Sequence, residues 1–154
     1  MKAQNQGSPF LNCTLISAAA SHCQSLGYNH DSGHGNSSNS RRLFWCVYML
    51  EKGVSMFFGR ASALQDADID VAPPVFSHKQ PFERWDRLFE AGIKLAKIQE
   101  RIYNDLYSRK SLELGQTERE NKIHDIVQKA RHFYDNRVRV LCPHHDGLAR
   151  SPYY

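Results

Sequence analysis

Asp66, Asp68 and Asp70 alternate in the segment QDADID, the spacing with which the first carboxylates of a calcium loop converge on one ion. Such a loop also needs glycine at its sixth position and glutamate at its twelfth. Those positions hold Val71 and Ser77, so the calcium reading fails. A D-x-D motif of the glycosyltransferase kind would need an α/β setting, and no strand pattern of any length occurs. Carboxylates at a turn instead accept hydrogen bonds from nearby backbone N–H groups and pair with a neighbouring cation. His124-Asp125 and His145-Asp146 raise a second chemistry, that of all-helical phosphohydrolases whose His and Asp side chains hold a divalent metal. Helical periodicity, however, puts His124, Asp125, Gln128, Lys129, Arg131, His132 and Asp135 on one polar, outward face. His145-Asp146 falls in a tail flanked by proline and glycine. His30 and His34 have metal-compatible spacing but no third ligand near in sequence. Cys142, His144 and His145 could take up adventitious metal, and a solvated tail accounts for them more simply. No glycine-rich phosphate loop, G-x-S-x-G elbow or Cys/His nucleophile pair is present.

Of these candidate residues only His124 and Asp125 fall on an expected helix; the others lie in the loops and tail that the helices hold. The chain has 154 residues, 41% of them hydrophobic, which suffices for the core of a single domain. Mean hydropathy is −0.58 and the pI is near 8.9. The net charge of +4 comes from basic residues scattered among acidic ones, a solvated helix surface rather than a nucleic-acid face. None of Cys13, Cys23, Cys46 and Cys142 forms C-x-x-C. They read as reduced thiols of an intracellular protein, with Cys46 in the core. Polar Asn12, Thr14 and Ser17 interrupt the apolar stretch that would otherwise imitate a signal peptide.

A first helix is expected from Leu11 to Leu26, with Leu11, Leu15, Ala19, Cys23 and Leu26 on one face and Gly27 as its stop. Residues 29–40, rich in Ser, Gly and Asn, form a loop. The run Leu43 to Leu50 is unbroken apolar and, at helical rise, only about 12 Å long, too short to span a membrane. Leu43, Val47, Leu50, Val54 and Phe57 repeat at steps of four and three along one face, and Phe44, Trp45, Tyr48 and Met49 fill the adjacent faces, predicting a central helix covered by neighbours all round and ended by Gly59. Trp45, Val47, Tyr48, Leu50 and Val54 are the expected centre of the core, and Leu50→Asp should collapse it. Pro73, Pro74 and Pro81 keep the following connection extended. A third helix is expected from Pro81 to Tyr107, burying Trp85, Leu88, Phe89, Ile93, Ala96, Ile102, Tyr103 and Leu106. A fourth opens at Thr117 with a Thr117/Glu120 capping box and turns Ile123, Ile126, Val127, Ala130, Phe133, Tyr134 and Val138 inward. Residues 1–10 read as a disordered start, 11–141 as the helical domain and 142–154 as a flexible tail.

The central stretch carries a specific pattern: Arg41, Arg42, Trp45, Tyr48, Leu50, Glu51, Lys52, Ser55, Gly59 and Arg60, then Asp68, Ile69, Asp70, Val71 and Pro74. It resembles the fungal-specific transcription factor domain, the middle homology region of fungal zinc-cluster regulators. Upstream, Leu26-Gly27-Tyr28-Asn29-His30-Asp31 resembles that family's L-G-L-H-R-D. Downstream, Ile102-Tyr103 and Leu106-Tyr107-Ser108 resemble its I-Y-x-x-L-Y-S. Ala61 and Ala72 stand where the family commonly has proline. The resemblance covers roughly residues 11–110. It implies an all-α, irregular helical bundle, a partial copy of the regulatory domain, that modulates transcription in the nucleus. It also implies no catalysis, and a family zinc that belongs to a DNA-binding module whose cysteine motif this chain lacks, so no cofactor and no metal are expected here. The implied partners are the rest of a transcription factor, other regulatory proteins and a small-molecule inducer, with neither sequence-specific DNA nor membrane contacted by this chain. Arg42, Trp45, Tyr48, Gly59, Arg60, Asp68, Asp70 and Pro74 are the implied structural motif, with Arg60 expected to clamp Asp68 and Asp70. The competing readings are the metal phosphohydrolase and a helical module that binds a small molecule without acting on DNA.

Overall fold

A computed structural model describes residues 9–31, 37–77 and 79–138. Helix α1 spans Pro9–Ser25, α2 Ser38–Phe57, α3 Glu83–Ile102, α4 Arg109–Leu112 and α5 Gln116–Phe133. One 3-10 turn lies at Asp66–Asp68, and wider helical turns extend α3 through Tyr103–Tyr107 and α5 through Tyr134–Val138. Among the described residues there is no strand, and the all-α expectation holds. Central α2 packs against both α1 and α3, and α5 lies on α3.

The helix ends follow from local chemistry. Ser37 caps α2, its Oγ accepting from the Ser40 N–H at 3.1 Å, which satisfies one of the donors left open at a helix start. At the other end Gly59 takes φ +63°. The Gly59 N–H donates to Met56 O and the Arg60 N–H to Ser55 O, at 3.1 and 3.0 Å. That paired reversal closes a helix around a left-handed residue. Gly27, at φ 69°, does the same for α1 through the Tyr28 N–H and the Cys23 carbonyl. Both glycines act as the sequence indicates. The Thr117/Glu120 capping box does not form, because α5 begins one residue earlier and its cap position is Gly115. The third helix begins at Glu83 rather than Pro81, which lies in the turn before it.

The core takes Trp45, Val47 and Tyr48 of α2 as expected, but not Leu50, and α2 is not covered all round. Phe44, Trp45, Val47 and Tyr48 are buried, with Ala20, Cys23, Leu64, Val71, Ile93 and Ala96 packed around them. Leu43, Leu50 and Phe57 are instead exposed, Leu50 by 56%. Glu51, Lys52 and Ser55 take the inward places. All-round apolar burial fails because these polar residues, each with a partner inside, occupy places that apolar side chains usually fill. On α1, Leu11, Leu15 and Leu26 are exposed, and Ala20 and Cys23 make the contact. On α3, Trp85 and Leu88 are exposed, and Asp86, Ala91, Ile93, Ala96 and Glu100 face in. On α5 only Ile126 is fully buried among the described residues; Ile123, Val127, Ala130 and Tyr134 are exposed. Cys46 is half-buried, so the core thiol is Cys23, and burial raises the pKa of both. The expectations for His34, Cys142, His144, His145 and Asp146 lie outside the described residues.

Candidate functional site: a buried ion-pair latch

Successive turns of α2 carry Tyr48, Lys52 and Ser55 inward, with Glu51 beside them. The Lys52 ammonium, 1% exposed, donates to Glu100 Oε2 of α3 at 2.6 Å and lies 3.5 Å from Asp66 Oδ1. It also donates to the Leu64 carbonyl and sits 4.9 Å from the centre of the Tyr48 ring. Glu100 accepts a further bond from Asn104 Nδ2 at 3.2 Å. A buried ammonium costs several kcal/mol of lost hydration unless it is paired and hydrogen-bonded, and Lys52 is both. The Tyr48 hydroxyl donates to Asp66 Oδ1 at 2.7 Å. Burial first, then the Asp66 carboxylate, hold the Tyr48 phenol far above its ordinary pKa of 10.0.

Glu51, fully buried, is the second half of the latch. Its Oε1 accepts from Ser55 Oγ at 2.7 Å and from the Ala63 N–H at 2.9 Å, and its Oε2 accepts from Ser62 Oγ. The Arg60 guanidinium lies 3.4 Å from the same carboxylate and donates to Ser17 Oγ of α1 at 3.0 Å. Arg60 therefore clamps Glu51 and α1, where Asp68 and Asp70 were the expected partners. It does not pair with Asp68 or Asp70. The reversal at Gly59 turns Arg60 back along α2 toward Glu51, away from those aspartates.

Asp68 and Asp70 pin a different pair of segments. The Asn29 carbonyl accepts from the N–H groups of Asp70 and Val71 at 3.1 and 3.2 Å, and Asn29 Nδ2 donates to the Asp68 carbonyl at 2.9 Å. Asp70 Oδ1 accepts from the Asp31 N–H at 2.7 Å, with His30 Nδ1 3.5 Å away. The turn after α1 and the Asp66–Val71 connection are thereby sewn together. Further along, Trp45 Nε1 donates to the Ala72 carbonyl at 3.2 Å, just before the buried Pro74. Arg42 lies 3.8 Å from buried Asp86 of α3 and 5.8 Å from the centre of the Phe76 ring.

Arg42, Trp45, Tyr48, Glu51 and Lys52 thus serve one arrangement: α2 holds the connection over residues 60–76 against α1 and α3. Glu51, Lys52, Asp86 and Glu100 are central to it and were missed as site residues. Spacing could have found two of them, since Glu51 and Lys52 follow the buried Tyr48 by three and four positions. His124, exposed, contacts Gln128, while Asp125 pairs with Arg101 and Lys129 at 2.6 and 3.0 Å. Hydrogen bonding from Lys129 lowers the Asp125 pKa. No group of three or more His, Cys, Asp or Glu side chains among the described residues is placed to hold a metal. No helix among them is long and apolar enough to cross a membrane.

Residues 4–137 match the fungal specific transcription factor domain, and the chain belongs to that family. It is 32% identical over 116 residues, 73% of its length, to an uncharacterized transcriptional regulatory protein of Schizosaccharomyces pombe. A second such protein of that yeast is 31% identical over 141 residues, 86% of this chain. An ABC-transporter-regulating transcription factor of Aspergillus fumigatus is 26% identical over 146 residues, again 86% of this chain. The chain spans only 18%, 17% and 16% of these three relatives. No solved structure matches it.

Proposed function

We propose that this chain is a regulatory segment of a fungal zinc-cluster transcription factor. It acts in the nucleus, through contacts with other parts of such a factor or with regulatory proteins and with a small-molecule inducer, and it catalyses no reaction. Zinc and specific DNA contacts belong to a separate module of the factor. The observation that carries this reading is where the motif residues spend their polar groups. Arg60, Glu51, Lys52, Asp66 and Glu100 bond to one another inside the fold, which suits an element that holds and transmits a shape better than one that turns over a substrate. Asp125 is already engaged by two cations, which disfavours the metal phosphohydrolase.

The test is a fusion of the chain to a heterologous DNA-binding domain driving a reporter in a fungal host. The fusion should change reporter output relative to the DNA-binding domain alone, and Lys52→Ala should abolish the change while Lys110→Gln, on exposed α4, should not. Output indifferent to the chain would defeat the proposal. Phosphoester hydrolysis with manganese, lost in His124→Ala, would restore the enzyme reading.

A further inference from the structure

A cleft of about 940 Å³ opens between α3 and α5, away from the latch. Lys94, Lys97 and Ile98 line it from α3, and Asp125, Lys129 and Phe133 from α5. Its volume lies within the range of small-molecule sites, roughly 300–1,000 Å³, and its floor is apolar, with Ile98 and Phe133 partly buried. Its charges do not cancel. Lys94 is matched by Glu90 at 2.7 Å. Asp125 is shared between Lys129 and Arg101, and Arg101 is shared in turn with Asp105 at 3.1 Å. Lys97 makes no ion pair among the described residues, and its ammonium lies 5.5 Å from the centre of the Trp45 ring. A concave apolar floor under surplus positive charge fits a molecule with one acid group and an apolar body.

We propose that this cleft binds an amphipathic monoanion of the medium-chain carboxylic acid class, with its acid group on Lys97 and its chain against Ile98 and Phe133. An extended nucleic-acid backbone would need a row of unopposed cations, whereas Glu90, Asp105 and Asp125 interrupt the basic residues of α3 and α5. The proposal draws on the regulatory reading only for the ligand's role as a signal.

The experiment is calorimetric titration of the whole chain with decanoate below its micellar concentration, beside decanol as the uncharged match. Decanoate should bind saturably at one site and more tightly than decanol. Lys97→Gln, at an exposed position, should weaken decanoate about tenfold, the worth of one charge-assisted hydrogen bond, and leave decanol unchanged. Lys110→Gln, outside the cleft, should leave both unchanged. Equal binding of decanoate and decanol would overturn the assignment, as would a Lys97→Gln variant that binds like wild type, or equal losses in the two lysine variants. Lys97-dependent capture of an acidic amphipathic peptide without decanoate binding would also overturn it, in favour of a protein partner. Binding is read on the purified chain, so its absence refutes the cleft whatever the reporter fusion does.

Discussion

Lys52 and Glu51 are neighbours in sequence, yet each is buried on its own set of partners, and the consequences are separable. Removing the Lys52 ammonium strands Glu100, only 5% exposed, so Lys52→Ala should cost about 3–5 kcal/mol in urea unfolding, the penalty of an unpaired buried charge. Lys52→Met combined with Glu100→Leu should recover most of that loss, because no fully buried charge remains and Asp66, the other partner, is 43% exposed. If the double variant is as unstable as the single, the pair contributes something besides mutual neutralisation. Arg60 offers a sharper comparison. A double-mutant cycle of Arg60→Ala with Glu51→Ala should give a coupling of roughly 0.5–3 kcal/mol, whereas Arg60→Ala with Asp68→Ala should add within about 0.5 kcal/mol. Tyr48 supplies the pH dependence. Its folded pKa is raised, so the unfolded chain loses the phenolic proton first once pH passes about 10, and the folded state then holds more protons. Stability from this group is complete below pH 10 and declines above it. The stability advantage of wild type over Tyr48→Phe, measured by urea midpoints, should therefore shrink between pH 9 and pH 11. An advantage that grows with pH would contradict the assigned environment.

At the scale of elements, α2 shows what a sequence reveals and what it hides. Its glycine stop and its central place follow from local chemistry and from the apolar run, whereas its start at Ser38 falls inside the stretch 29–40 that reads as a loop. The direction it faces does not follow from apolar spacing, because Glu51, Lys52 and Ser55 look like surface residues until their partners on α3 and the connection are known. The buried face, Phe44, Tyr48, Glu51 and Ser55, lies beside the apolar stripe rather than on it. The consequence is measurable. Leu50→Asp, at a position 56% exposed, should shift the unfolding free energy by no more than about 0.5 kcal/mol, whereas Leu64→Asp, at 1% exposure, should prevent cooperative folding by placing an unpaired charge in the core. Circular dichroism melts of the two variants decide between the stripes; an unfolded Leu50→Asp would return α2 to the orientation that apolar spacing suggests. The same blindness explains Arg60. Its role as a clamp was legible from the glycine before it and the carboxylates after it, but its partner was not, since the choice between Glu51 and Asp68 depends on where the backbone reverses. The pairing of the Asn29 turn with Asp68–Val71 was likewise invisible, because at least one partner in each bond is a main-chain group and the two segments lie some 39 positions apart in sequence.

For the molecule as a whole, the apolar side chains left outside form the largest departure from an ordinary globular surface. Phe57 is 79% exposed and Phe10 75%, and both stack on Phe58, with ring centres 5.2 and 5.8 Å apart. Trp85, at the start of α3, is 68% exposed. Scattered apolar residues are normal on protein surfaces, but clustered ones mark places where other surfaces meet the protein. The relatives are five to six times longer than the part this chain matches, at 16% to 18% coverage, so family members have further chain that could lie there. The Phe10, Phe57 and Phe58 cluster contributes little to the core, since none of the three rings belongs to the buried set or to the residues packed against it. Phe57→Ser should therefore leave the urea midpoint almost unchanged, within about 0.5 kcal/mol of wild type. It should nonetheless lower the concentration-dependent association of the isolated chain in sedimentation velocity, because it removes the most exposed ring of the cluster. A Phe57→Ser variant that is clearly less stable would mean that the ring belongs to the core. One that is stable but associates as wild type does would move the sticky surface elsewhere, with Trp85→Gln as the next substitution to compare.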